Sequence, residues 1–495
     1  MLTPLKPGEW DWNKAAHLLN RAGFGGTPEQ IDALYHAGFD RSVNRLLNAP
    51  DDTAEFPKPV WATQDSSQQM AILHAGLDLA AAGTPADQEA RKMIFRKYQG
   101  DVRKNMIDLV GWWLNRMATT PDPLREKLTL FWHGHFATGV TKVRDSYKMW
   151  LQNETLRQHA LGDFGSMVRA MSRDPAMLVW LDGADSLRSK PNENWARELM
   201  ELFTLGIGNY TEDDIKASAK AFTGYKVNPA NQTFFYSPLQ HNDEQKTFFG
   251  KTGDFNGDDI INMILGKPVC AQYMVRKIWR FFVYDNPAPA LVNDLAARFQ
   301  KNGYAIHPLM NEIFRSAEFY SPRAIRMQIK RPVEWTIRNA KVLEASLPPT
   351  IPMTNALRQL GQIPFDPPNV KGWDGGKAWI TTSTLLARYN LSNYVIGNGG
   401  MTLQPVGNNA KKARPMRDVP SRAVIDFEKI APAALRKDTT ALVKSLSLRL
   451  FQTELIPYAS QRFIDYLEPR KADIDDQTVR ELLHLMMSTP DYQLT

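Results

Sequence analysis

Helix punctuation recurs along almost the whole chain, and it limits the fold more than any other feature of the sequence. Thr27-Pro-Glu-Gln30 combines an N-cap threonine, proline at the first helical position and glutamine three residues after the cap. Ile31, Leu34 and Tyr35 follow at helical spacing. Asn13 reads as the cap of the preceding helix, which Gly23-Phe-Gly-Gly26 breaks. Further on, Leu124, Leu128 and Phe131 mark a helix over Pro123–Trp132, with Gly134 as its stop. Gly206-Ile-Gly208 closes a helix over Asn194–Leu205, glycine being favoured just beyond a helix C-terminus, and Thr211 caps the next.

Two stretches escape this pattern. Between Tyr225 and Gly257, the runs Thr233-Phe-Phe-Tyr-Ser237 and Lys246-Thr-Phe-Phe-Gly250 are β-like and flanked by turn residues, which predicts a small hairpin. From Leu347 to about Pro420 the chain is rich in proline, glycine and tryptophan and reads as loop; loops of that length are more often functional than idle. The expectation is therefore a mainly α, multi-helical fold with a small β-hairpin insertion and a long Pro/Gly/Trp-rich loop region. It divides into a helical region 1–225, the hairpin insertion 226–257, a helical region 258–346, the loop-rich region 347–421 and a helical region 422–495. At 495 residues, two or three hydrophobic cores are expected.

Composition removes several function classes. The single cysteine, Cys270, excludes an intrachain disulfide and a cysteine-based metal cluster, and its apolar surroundings predict a buried, inert thiol. A net charge of +7 raises nucleic acid as a partner, but Lys and Arg are spread along the chain. Of the two local concentrations, Arg91–Lys104 reads as the solvated face of a helix with Met93, Ile94 and Tyr98 inward, and Lys411–Arg417 as a basic loop. No nucleic-acid-binding module accompanies them, so none is expected as a partner. No apolar run is long enough to span a membrane, and the N-terminal residues lack a signal-peptide apolar stretch. The common serine-hydrolase, nucleotide-binding and zinc-protease motifs are also absent.

Chemistry-bearing residues concentrate in two segments. Leu130-Phe-Trp-His-Gly-His-Phe136 sets His133 and His135 two residues apart. Their side chains share a side only if the backbone is extended, and Gly134 favours such a geometry; converging imidazoles would suit Zn, Fe or Mn. Pro191-Asn-Glu-Asn-Trp-Ala-Arg-Glu-Leu-Met-Glu201 places Asn194, Glu198 and Glu201 on one helical face, beside Arg197, while Trp195, Ala196, Leu199, Leu202 and Phe203 form the apolar face. Two carboxylates three residues apart repel unless a cation, a proton or an arginine sits between them.

The functional reading is a metal-dependent enzyme. His133, His135, Glu198 and Glu201 hold a divalent ion; Glu198, Glu201 and His241 supply acid–base groups; Arg197 balances charge or binds an anionic group. The alternative is a non-catalytic scaffold in which the same residues form an ion-pair network. On the glycine-rich loop, Trp373 and Trp379 could form an aromatic platform for a sugar, with packing onto the core as the competing account. Asp254–Asp259 lacks the spacing and closing glutamate of an EF-hand and reads as a turn and helix cap.

These residues carry a family resemblance. Ala16-His-Leu-Leu-Asn-Arg-Ala-Gly-Phe-Gly25, Leu124–Phe136, Asp174–Leu178 with Leu181-Asp-Gly183, Pro191–Gly206, Ala221-Phe-Thr-Gly224 and Pro367-Pro-Asn-Val-Lys-Gly-Trp373 resemble, in order, the bacterial domain of unknown function 1800. The resemblance implies an envelope setting, an exported sulfatase- or phosphatase-like partner encoded nearby, and a glycan or other envelope polymer as substrate. It assigns no reaction.

Overall fold

The computed structural model describes residues 2–50, 52–64, 70, 72, 84–397, 400–401, 419–420 and 425–495. It is mainly α, as the punctuation predicts. The capping box at Thr27 forms, with the Thr27 side chain on the Gln30 amide and Gln30 returning to the Thr27 amide. Thr211 makes the same reciprocal pair with Asp214. At the first helix, Trp12–Ala22, the cap is Asp11 rather than Asn13, because the Asp11 carboxylate accepts from the Lys14 amide. Asp254–Asp259 is a turn and cap as read: Asn256 and Asp259 form the capping box of the helix Gly257–Leu265.

Among the described residues, β structure is confined to short antiparallel pairs. The two β-like runs do not pair with each other. Phe234–Tyr236 pairs with Tyr225–Val227, and Lys246–Phe248 with Lys251–Gly253, giving two adjacent hairpins, each closed locally. Gly400–Met401 pairs with Val419–Pro420. The loop-rich region carries more helix than its composition suggests. Thr350–Leu360 is helical and ends on Gly361 in the left-handed conformation, and Thr382–Val395 is helical behind a Thr381–Thr384 capping box. The basic loop Lys411–Arg417 lies outside the described residues.

One large core runs from Leu5 to Ala324 and takes in Tyr225 and Phe248 of the hairpins. A second runs from Trp335 to Tyr492. A third seam, including Trp113, Leu130, Ile337 and Phe365, joins them. The 35-residue helix Pro85–Thr119 enters this seam from Val102 onward. Its first turns stand outside the cores, so Met93 and Ile94, expected to point inward, are 63% and 40% exposed. Cys270 is buried in the helix Pro268–Phe282, and burial pushes its thiol up to about 12.

Buried ion pairs stitch the seam. Glu126 takes Arg157 at 2.5 Å and Arg116 at 3.0 Å, Arg116 also meets Asp52, and Lys127 meets Glu334 at 2.7 Å. Removing one partner of such a buried pair leaves an uncompensated charge and costs about 3–5 kcal/mol.

Candidate functional site

Asp122 caps the His-Gly-His helix and Pro123 opens it, and the helix continues through His135. Gly134 is therefore inside the helix rather than its stop. The extended geometry expected for His133-Gly-His135 is not adopted. On a helix, residues two apart point about 200° away from each other, so the two rings serve opposite sides.

His133 faces the seam. Its ring meets Trp113 and Phe365 edge-on, and Nε2 accepts the Phe365 N–H at 2.8 Å. That bond requires the lone pair on Nε2. Burial lowers its pKa to about 3, so the ring is neutral. The Phe365 carbonyl in turn accepts from the Val140 amide at 2.9 Å. His133 thus pins the start of the tryptophan-bearing loop. A second pin lies at Gly372, with φ +85°, where a Cβ would stand 2.4 Å from the Gly134 carbonyl oxygen. Only glycine permits both that φ and that approach. The pins bring the Trp373 ring to 5.9 Å from His133.

His135 faces the other way, toward the second segment. There the helix Glu193–Glu198 passes into a π-helical turn, Leu199–Thr204. Hydrogen bonds in such a turn reach one residue further than in an α-helix, as with the Leu205 amide on the Met200 carbonyl at 2.9 Å. The following carbonyls are taken by side chains from elsewhere. Phe203 accepts from His135 Nε2 at 3.0 Å, and Leu202 accepts from the Tyr273 hydroxyl at 2.7 Å and from Lys277 Nζ at 3.3 Å. The two segments do meet, but through backbone oxygens rather than carboxylates. Since a carbonyl only accepts, Nε2 carries the His135 proton, and Nδ1 keeps its lone pair. Burial, and then the Lys277 charge, hold the His135 pKa well below the usual value.

The carboxylates of the segment are engaged on its outer side. Arg197 makes a two-pronged pair with Glu212, at 2.9 and 2.8 Å, and reaches Glu193 at 3.5 Å. Asn194 donates to Asp182. Glu201 accepts the Tyr210 hydroxyl at 2.7 Å. Glu198 is half-buried; burial and then the Glu201 charge raise its pKa, against the pull of Arg197. The repulsion between the two glutamates is thus eased by a tyrosine hydroxyl and an arginine to one side. His241 is elsewhere, buried against the hairpins, with Nδ1 2.9 Å from the Thr223 carbonyl and its ring tilted on Tyr236. Among the described residues, no three His, Cys, Asp or Glu side chains converge as ligands for a metal ion. Of the six residues singled out in the sequence, the structure brings His135 to the Glu198/Glu201 helix and sets His133 and His241 apart from it.

His135 opens onto a cleft of about 590 Å³. One wall is the end of its own helix, with Phe131 and Gly134; another is Lys277, Arg280, Phe281 and Tyr284; a third is the loop from Lys371 to Trp379. Six cations line it, Lys277, Arg280, Arg323, Arg331, Lys371 and Lys377, against two carboxylates, Asp285 and Asp374. Arg280 pairs with Asp285 at 2.8 Å, Lys371 with Asp374 at 2.7 Å and Arg331 with Glu334 at 2.8 Å. Arg323 lies over the Tyr284 ring at 4.5 Å. Burial, followed by the charges of Arg280 and Lys371, lowers the Lys277 pKa to about 7. Two buried polar atoms of the lining residues have no partner within the protein: His135 Nδ1, an acceptor, and Trp379 Nε1, a donor. The aromatic loop was legible as a candidate wall. Lys277 was not, because its helix reads as an apolar run; the available signal was Tyr273 and Lys277 four residues apart, hence on one face.

No helix among the described residues is long and apolar enough to cross a membrane. No curated protein and no solved structure is detectably similar to the chain. A family model, described as a protein of unknown function (DUF1800), matches residues 17–494, and with nearly the whole length covered the chain belongs to that family.

Proposed function

We propose that the chain is an enzyme whose working site is the cleft beside His135, acting on an anionic substrate with Lys277 as its acid–base group. The observation that carries this reading is Lys277. It is a partly buried amine in a cleft already dominated by cations, and the charged groups acting on it are both positive. An amine brought near neutrality is suited to give and take protons at physiological pH, and strongly shifted groups in clefts mark candidate sites. His135 adds a neutral ring to the lining of the same cleft, oriented by its bond to Phe203. Trp373 supplies a half-buried aromatic face for a ring or apolar body. The volume suits a metabolite-sized molecule or the end of a longer chain, such as an acidic glycan.

The π-turn supports the same location, since such turns are frequent at functional sites. A divalent metal at His133, His135, Glu198 and Glu201 draws less support from the geometry, because His133 Nε2 and His135 Nε2 already bond to backbone and the rings point apart. The scaffold reading has one observation in its favour: Arg197, Glu201 and Asn194 all find partners inside the protein.

Calorimetric titration with pyridoxine 5′-phosphate, a flat anion, at low salt tests the proposal. Binding is expected to weaken about tenfold in Lys277→Met and by a similar factor in Lys371→Ala, each equivalent to about 1.4 kcal/mol. Equal affinity in wild type and both variants would sink it.

A further inference from the structure

Lys277 Nζ lies 3.3 Å from the Leu202 carbonyl and 3.4 Å from the Tyr273 hydroxyl oxygen. Tyr273 gives its own proton to that same carbonyl, so toward Lys277 its oxygen can only accept. A neutral amine has two N–H bonds and one lone pair. The two acceptors account for both hydrogens and leave the lone pair free. An ammonium would bring a third N–H, and the charged groups around it are Arg280 on its own helix and Lys371 on the tryptophan-bearing loop, both cations. The His135 imidazole, bonded to the next carbonyl along at Phe203, feels the Lys277 charge. The neutral amine has an acceptor for each hydrogen; the ammonium gains only the face of the Tyr273 ring, 5.2 Å away, against the two cations. Desolvation beside other cations is how lysines become nucleophilic.

We infer that Lys277 is a nucleophile toward aldehydes or ketones that carry an anionic group, forming an imine with them in the cleft. The inference rests on the cleft being the working site and names its substrate class. The Nζ lone pair attacks the carbonyl carbon, and the C=O π pair moves to oxygen. A proton passes from nitrogen to that oxygen, giving the carbinolamine. Protonation of the hydroxyl by solvent then lets it leave as water while the nitrogen lone pair closes the C=N bond, and the resulting iminium gives its remaining N–H proton back to solvent. The sum is amine plus carbonyl giving imine plus water, with no change of oxidation state. Arg280, Arg323 and Lys371 provide positive charge for the anionic group, and Trp373 an aromatic wall for a flat carbonyl compound.

The test is reductive trapping on the full chain. Protein is incubated with pyridoxal 5′-phosphate at neutral pH, reduced with borohydride, and mapped by peptide mass spectrometry. Lys277 is expected to be labelled at least tenfold faster than any other lysine. The label should be blocked by pyridoxine 5′-phosphate, which has an alcohol in place of the aldehyde. Its rate should rise with pH to a half-maximum near the lysine's value of about 7. Lys277→Arg should lose that label with the circular dichroism spectrum unchanged. Label spread evenly over exposed lysines, or unblocked by pyridoxine 5′-phosphate, overturns the inference. If pyridoxine 5′-phosphate binds and Lys277 stays unlabelled, the covalent step fails and the cleft stands. If pyridoxine 5′-phosphate does not bind, the cleft reading fails with it.

Discussion

The π-turn Leu199–Thr204 has two sides, and they handle charge in opposite ways. On the outer side, Arg197 and Glu201 carry side chains that find partners at the surface, in Glu212 and Tyr210. On the inner side, the turn presents main-chain oxygens to His135, Tyr273 and Lys277, and those oxygens hold the donors at the edge of the cleft. The outer side resembles a site in the sequence because its residues are ionisable. The inner side resembles nothing in the sequence, because the atoms that organise it belong to the backbone. A carboxylate paired at the surface has had its demand met, whereas an imidazole with one nitrogen on a carbonyl and the other unpartnered has not.

The largest expected effect is on the inner side. His135→Ala removes a buried ring packed among Phe131, Trp132 and Phe136 and leaves the Phe203 carbonyl without its donor. A loss of about 2–4 kcal/mol is expected in chemical denaturation. A loss as small as that of an outer-side change would erase the contrast.

Next comes the pH response of Lys277. Its folded pKa, about 7, is below its ordinary value of 10.5, so the unfolded chain binds more protons between those limits. Stability therefore rises with pH across that window, and the penalty of burying the charge is fully present below about 7. Lys277→Met should flatten that slope and be more stabilising relative to wild type at pH 6 than at pH 10. Parallel melting curves for the two proteins across the range would show that the amine is not held near neutrality.

The outer side should respond least. Arg197→Gln breaks an exposed pair and is expected to cost about 1 kcal/mol or less. Glu198→Gln should be neutral to slightly stabilising at pH 7, because the raised pKa of Glu198 reports that its charge is disfavoured there. Neither should change binding of pyridoxine 5′-phosphate. A large effect from either on that binding would move the site to the carboxylates.

Much of the fold was legible because helix ends are local. Thr27 with Gln30 and Thr211 with Asp214 close their caps within four residues, and the glycine after Ala22 ends a helix wherever the chain goes next. The helices Thr350–Leu360 and Thr382–Val395 were hidden by proline density around them, although Gly361 and Thr381 carry the expected end signals. The hairpins were half legible, since strand character is local and the choice of partner is not. The site was the least legible part. A slip from α to π register at Leu199 leaves no mark in composition; it is fixed by donors 68 to 75 positions away, at His135, Tyr273 and Lys277. The same distance effect gave His133 a structural task that a two-residue spacing could not reveal.

The two pins under the tryptophan-bearing loop have a consequence for how this molecule can change. Phe365 and Gly372 attach the loop to the helical body through main-chain atoms and a bare α-carbon, and Phe365, Val370 and Trp379 add apolar anchors, so the scaffold reads little of the exposed charged side chains among them. Lys371, Asp374 and Lys377, all exposed, can be exchanged without disturbing either attachment. One wall of the cleft is in this sense a replaceable part, where new preferences can arise while the cores that support them stay the same.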